Sequence, residues 1–547
     1  MSGSAHVRVA SPTGELLEIS VSGEHPRRLT EVLAAHGQPL NTRCGQRGLC
    51  RGCEVVVSDG TLMIDGHTLH APATVPACQV FIEADVSIQI PARSRIEHRP
   101  QVGESFEIGV PYAHQPLFGA VAGQRDTAFA VDVGTTTVVV LLVDLITGDV
   151  LSRAGAFNAQ IRFGDNVVTR IEAARDVRCL AAMQRAVVVE TIQPLLLRAC
   201  ERAGRTLERI AGGALAGNPT MLHLLVGEDP TPLGIAPFTP RFIAGKQIAA
   251  RDILLEADGL APDTPVQLLP GIAAYIGADI TAGVYASGMV FDPAPSLLVD
   301  MGTNGEIVLQ NGGKLTACAT AAGPAFEGCG LRYGTRARDG AVSDLLMSLD
   351  PFQLVAQTIG SSPLSQANGL CGSAYIDFLA CARACGLIGA TGRFVTREWE
   401  SVPARHRLIE NGTRALRVTG NHGGGELAIS EVDIALLLQA KAAIGAGIDI
   451  LLENAGIRAA DLSRVYLAGG FGMHLNVAHA IAIGLLPGIH ERQVRVVGNT
   501  ALAGALLALV DRNTLDEMEA LRTQVDVIEL NLVDGFEDHY IDHLMLP

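Results

Sequence analysis

A chain of 547 residues is long enough for several hydrophobic cores, and its 48% hydrophobic and 18% charged content with only 4% aromatics builds them from Ala, Val, Leu and Ile. The formal net charge of −16 argues against a nucleic-acid partner, whose phosphates reward basic surfaces. The longest apolar run, residues 501–510, is half of the roughly 20 residues a membrane span needs, and the first residues lack a secretory apolar stretch, so the expected setting is the cytoplasm with no membrane partner.

Residues 1–90 read as a compact β-rich unit. Residues 6–9 and 16–21 alternate as strands, residues 29–36 form a short helix stopped by Gly37, and residues 54–57 make a further strand. Four of the eleven cysteines fall here, as Cys44, Cys50, Cys53 and Cys78, in the pattern C-x5-C-x2-C-x24-C. Glycines 45, 48 and 52 let the loop wrap and aim N–H groups at sulfur, as an anionic cluster requires. Structural zinc also takes four cysteines, but it usually pairs two C-x2-C knuckles. Three ligands in one glycine-rich loop with a fourth arriving later favour [2Fe–2S] over zinc. The remaining cysteines are scattered and read as small buried apolar residues. Residues 91–127, which include Pro91, Pro100, Pro111 and Pro116, read either as a linker that lets the first unit swing or as a packed extended strap.

The next stretch sets the frame for the rest. Residues 128–143 run as an apolar strand into Asp132, turn through Gly134, Thr135, Thr136 and Thr137, and leave as a β-branched strand. Glycine permits close backbone approach to an anion, the hydroxyls add donors, and the carboxylate is placed for hydrated Mg²⁺. The phrase returns as Val299-Asp300-Met301-Gly302-Thr303-Asn304-Gly305-Glu306. Two such hairpins imply two related half-domains, 128–295 and 296–547, facing one nucleotide.

Between and after the hairpins the elements follow in order. Residues 158–166 form a polar loop that opens a helix, and a second helix from about residue 180 to Gly204 should bend or split at Pro194. Residues 213–217 make a strand ahead of a helix that carries His223, read as a packed or capping histidine more than a functional one. Residues 266–269 and 273–277 are expected as short strands. Gly323 lies in a small-residue turn that permits close backbone approach, and Glu327 follows it as a carboxylate able to position water or a metal. Ser430 and Asp433 form a capping box for the longest helix, which ends at Gly456. A strand then meets Gly469 and Gly470, a turn on which an adenosine could lie, and Asn499 opens the last long apolar helix.

In this order the chain resembles the actin, sugar kinase and Hsp70 superfamily. A four-cysteine unit ahead of Val131-Asp132-Val133-Gly134-Thr135-Thr136-Thr137, with Arg162-Phe163-Gly164-Asp165, Ala322-Gly323-Pro324-Ala325-Phe326-Glu327-Gly328 and Leu467-Ala468-Gly469-Gly470-Phe471-Gly472, resembles more closely the reductive activators of corrinoid proteins. The resemblance implies an α/β multidomain fold: a β-grasp ferredoxin-like domain, a linker and a two-lobed, ribonuclease H-like ATPase. It further implies ATP-dependent transfer of one electron from a [2Fe–2S] cluster on Cys44, Cys50, Cys53 and Cys78 to Co(II) in a corrinoid protein of a methyltransferase system, regenerating Co(I). Asp132 and Asp300 would hold Mg²⁺ or orient water, and Thr135, Thr136, Thr303 and Asn304 would cradle phosphates. Gly469 and Gly470 would face adenosine, and the catalytic base is open among Asp132, Asp300, Glu306 and Glu327. A low-potential electron donor is a further implied partner, and a homodimer is left open.

Other readings are weaker. A radical-dehydratase activator usually shares a [4Fe–4S] cluster across a dimer, and a sugar kinase leaves the cysteine unit unexplained. A flavin or nicotinamide reductase lacks a G-x-G-x-x-G after a strand. A redox-sensing ATP-binding module remains the alternative from another class.

Overall fold

The computed structural model describes residues 5–10, 16–21, 27–38, 40, 42, 46, 53–64, 66–91, 94, 105–302, 304–410, 412–419, 426–472 and 475–547. In the first unit, strands Ala5–Ala10 and Leu16–Val21 pair antiparallel, and Ala5–Ala10 lies parallel to Val86–Gln89. Strand Glu54–Ile64 crosses the middle, against Val86–Gln89 on one side and Ala73–Pro76 on another. Helix Leu29–Ala35 covers this sheet with Leu29, Val32 and Leu33 buried.

The remainder repeats one plan twice. In the first half, Thr127–Val133, Thr137–Asp144 and Val150–Phe157 form an antiparallel meander, and Ile210–Gly217 joins parallel to its first strand. In the second half, Ser296–Met301, Gly305–Asn311 and Lys314–Thr320 form the same meander, and Arg464–Ala468 joins parallel. The parallel strands are buried on both faces, which explains near-continuous apolar runs instead of alternation. The two Asp-x-Gly-Thr hairpins are the first turns of these meanders and line one cavity.

The packing does not respect the sequence boundary at 296. Helix Thr500–Val510 is buried along its whole length and packs in the first half's core with Phe129, Val131 and Leu215. It crosses helix Ala278–Ala286 so closely that a Cβ on Gly504 would stand 2.4 Å from the Cβ of Ala282. A helix apolar all round must be enclosed on every side, and the first half's core encloses this one. The long helix Glu431–Ala455 is capped at Ser430 and ended by Gly456 with φ 65°. It supplies Ile434, Leu437, Leu451 and others to the second core.

Pro194 neither splits nor ends its helix: Val177–Val187 and Gln193–Ala203 run on into each other through a π-turn over Val188–Ile192, the widening that lets the ring clear the preceding carbonyl. Residues 273–277 are not a strand; only an isolated bridge joins Ala273 and Ile276, because Ile272 and Ala273 bond back onto Ile276 in a tight turn. Of the stretch 91–127, residues 105–126 run as a largely exposed strap, held by hydrogen bonds and by the buried side chains of Val110 and Phe118. The amides of Glu107, Gly109, Gln115 and Leu117 donate to the carbonyls of Val497, Ala286, Val510 and Leu509 at 2.7–3.0 Å, so the strap ties both ends of helix Thr500–Val510 to the first half.

Candidate active site

A cavity of about 610 Å³ lies between the halves. Its walls contain Asp132, Gly134, Thr135, Thr136 and Thr137 from the first hairpin, and Asp300, Gly302, Asn304 and Glu306 from the second. Glu327, Gly469 and Gly470 complete the set. Gly323 does not line it: its φ of 75° instead starts the turn Pro324–Glu327 that delivers Glu327. Thr303 lies outside the described residues.

The first hairpin is held by groups behind it. Asn158 Nδ2 donates to Gly134 O at 2.9 Å and Asn218 Nδ2 to Thr135 Oγ1 at 3.0 Å. Arg170, fully buried, donates through Nη2 to Thr135 O at 2.6 Å and through Nε to Gly164 O at 3.0 Å. Burial and the nearby charge of Arg336 push its pKa down to about 9. Buried hydrogen-bonded polar groups of this kind fix loop geometry before a ligand arrives. Sequence reading missed Arg170, which sits inside an ordinary amphipathic helix with no local signature.

Four carboxylates gather at the deep end. Asp132 accepts from Asn499 Nδ2 at 2.8 Å, and burial raises it to about 6. Asp300 is raised to about 7, by burial first and by the charge of Asp132 second. Asp279 is raised by burial and by the charges of Asp300 and Asp132, and Glu306 by burial and by Asp279 and Asp300. Like charges this close, out of water, call for a counter-cation. Among the described residues no group of three or more such side chains stands close enough to ligate one metal directly. That spacing fits a hydrated Mg²⁺, which keeps several waters and takes few direct protein ligands. Asp279 was also missed as a site residue; an acidic residue in the first turn of a helix is too common to single out.

Toward the other end, Phe471 stacks on Phe326 with ring centroids 5.7 Å apart, and Leu475 and Asn476 continue the wall. Gly469 has φ 88°, and a Cβ there would stand 2.5 Å from Asp300 Oδ1, so the double-glycine turn and the second hairpin touch. Across the cleft, Thr136 Oγ1 donates to Glu327 Oε2 at 2.5 Å, a direct bond between the halves. His223 is structural: it is buried, stacks on Phe242 at 4.4 Å, and is bonded by Pro219 O and the Arg241 amide.

In the first unit, Cys44 and Cys50 lie outside the described residues. Cys53 and Cys78 are buried and meet at the end of one ladder, where Glu54 pairs with Pro76 and the Ala77 amide donates to Cys53 O at 3.1 Å. Gln79 Nε2 donates to Cys78 Sγ at 3.4 Å and to Gln46 O at 2.6 Å. A residue between Cys44 and Cys50 is thereby held beside Cys78, and an N–H aimed at sulfur suits a thiolate-bound cluster.

Comparison with known proteins agrees with this geometry. The family described as "C-terminal domain of RACo the ASKHA domain" matches residues 294–547, and the "RACo middle region" matches residues 127–291. The "Corrinoid activation enzyme RamQ" of Eubacterium limosum is 29% identical over 597 residues, covering 97% of this chain and 98% of the relative. The "[Co(II) methylated amine-specific corrinoid protein] reductase" of Methanosarcina barkeri is 26% identical over 440 residues, covering 76% of each. A solved "Reductive activator for corrinoid,iron-sulfur protein" superposes with a TM-score of 0.72 at 30% identity, covering 99% of this chain and 98% of that one. Paired hairpins, a shared cavity and whole-length similarity together place this chain in the family of reductive activators of corrinoid proteins.

Proposed function

We propose that this protein is an ATP-dependent iron–sulfur reductase that returns the cobalt of a corrinoid protein from Co(II) to Co(I) with one electron. A low-potential donor supplies that electron, and the reading places all three proteins in the cytoplasm. The observation that carries the proposal is the single cavity walled by both phosphate hairpins and four carboxylates, in a chain led by a four-cysteine unit.

Gly134, Thr135, Thr136, Gly302 and Asn304 bind the phosphates through backbone amides and side-chain donors, with Thr303 assigned by its position in the second hairpin. Gly469 and Gly470 receive the adenosine. Asp132 and Asp300, backed by Asp279 and Glu306, would hold hydrated Mg²⁺, which when bound supplies positive charge against the phosphate oxygens. Cys44, Cys50, Cys53 and Cys78 would hold the [2Fe–2S] cluster, a one-electron carrier near roughly −400 mV in its plant-type form. Reduction to Co(I) lies below that range by family resemblance, so the transfer is uphill and draws on ATP. Nucleotide bound between hairpins on separate halves favours their closed arrangement by its differential contacts. Glu327, tied to Thr136, acts as a positioning group in that arrangement.

Phosphate release by the full chain in saturating MgATP is expected to rise severalfold when a corrinoid protein is added in its Co(II) form. A rate indifferent to the corrinoid protein in either oxidation state would count against the reading.

A further inference from the structure

The proposed nucleotide site contains a cation that the sequence motifs do not include. Arg336 belongs to the second half and lines the cavity. Its side chain is only 10% exposed, yet its Nε and Nη2 are buried without a hydrogen-bond partner. The ion pair to Glu327, at 3.7 Å from Nε to Oε2, is too long to be a hydrogen bond. The carboxylates of Glu327 and Asp165 offset its charge through space, but neither fills the two buried donors, and unmet buried donors are costly unless a ligand acceptor completes them.

Its surroundings locate that anion. Glu327 is the acceptor of Thr136 Oγ1, at the tip of the first hairpin. The guanidinium also stands over the ring of Phe157, 5.9 Å from its centroid, and Phe157 pairs with Thr137 at the end of the same hairpin turn. Arg336 therefore reaches across the cleft to the hairpin tip. Hydrated Mg²⁺ would offset the charge of the four carboxylates, and a terminal phosphate, which carries the most charge, calls for further donors. A guanidinium presents a planar fork matched to such oxygens.

We propose that Arg336 binds the terminal phosphate of the triphosphate from the second half, so that the cleft distinguishes ATP from ADP. The inference rests on the ATP reading above. It assigns the discrimination to a side chain on the half opposite the first hairpin, so that a triphosphate and not a diphosphate links the halves through Arg336.

The test is titration calorimetry of the full chain with a non-hydrolysable ATP analogue and with ADP, both with Mg²⁺. Arg336→Gln is expected to weaken the triphosphate analogue about 30-fold, the range for a lost charge-assisted pair, and to leave ADP within about threefold. Arg336→Lys, which keeps the charge without the fork, is expected to fall between wild type and the glutamine variant for the triphosphate alone. Equal weakening of both nucleotides by both variants, or no weakening of either, would overturn the assignment. Wild-type protein that binds neither nucleotide would overturn the ATP reading itself, and this assignment with it.

Discussion

Asp300→Asn is expected to lower ATP turnover about a hundredfold or more, the scale of losing one preorganised electrostatic group at a reacting phosphate, while raising the stability of the metal-free protein. Both effects come from the same charge. Asp300 sits at the end of strand Ser296–Met301 with its carboxyl raised to about 7 by burial and by Asp132. Its folded pKa therefore exceeds the unfolded value of about 3.9, so the folded state resists ionisation. Wild-type stability falls as pH rises from about 4 through about 7. The neutral variant escapes that fall by up to about 4 kcal/mol above pH 7, a ceiling because the cavity side of the carboxyl meets water. Thermal melts without Mg²⁺ at pH 4 and pH 8, beside a phosphate-release assay, check the pair. A variant equally active, or one less stable at pH 8 than wild type, contradicts this account of the carboxylate cluster.

Gly504→Ala is expected to cost about 3 kcal/mol of stability by overpacking, a large effect for one methyl group. The new Cβ would stand 2.4 Å from Ala282 Cβ and 2.6 Å from its Cα, and a backbone atom cannot rotate aside. Helices Ala278–Ala286 and Thr500–Val510 must then separate. Their first turns carry Asp279 and follow Asn499, whose side chain holds Asp132. Weaker MgATP binding should accompany the lost stability, readable by denaturant unfolding and calorimetry. Unchanged stability would mean that the helix crossing is looser than its geometry indicates.

What could be read from the sequence was what is local. A hairpin of this kind carries its carboxylate, glycine and hydroxyls within a few consecutive residues, so both turns were legible, as were the capping box at Ser430 and the helix irregularity at Pro194. What needed the fold was what converges from afar. Arg170 and Arg336 lie in stretches without a signature, and their value comes from burial beside Thr135 and Glu327. Asp279 is an unexceptional helix-start residue until three other carboxylates approach it. The apolar helix Thr500–Val510 announces burial but not which half encloses it, so a boundary drawn at 296 separates it from the core it fills. The small residues around Gly323 suggest a ligand contact, whereas its positive φ serves the turn that presents Glu327.

In the proposed reaction ATP drives an electron from the cysteine-bound cluster onto cobalt. The most direct measurement is the visible absorption of a corrinoid protein in its Co(II) state, mixed anaerobically with this protein, a low-potential reductant and MgATP. Co(I) is expected to accumulate with the complete mixture, and to be absent when ATP is withheld or when Cys50→Ser replaces the wild type. Co(I) forming at the same rate without ATP, or with the cysteine variant, would contradict the account.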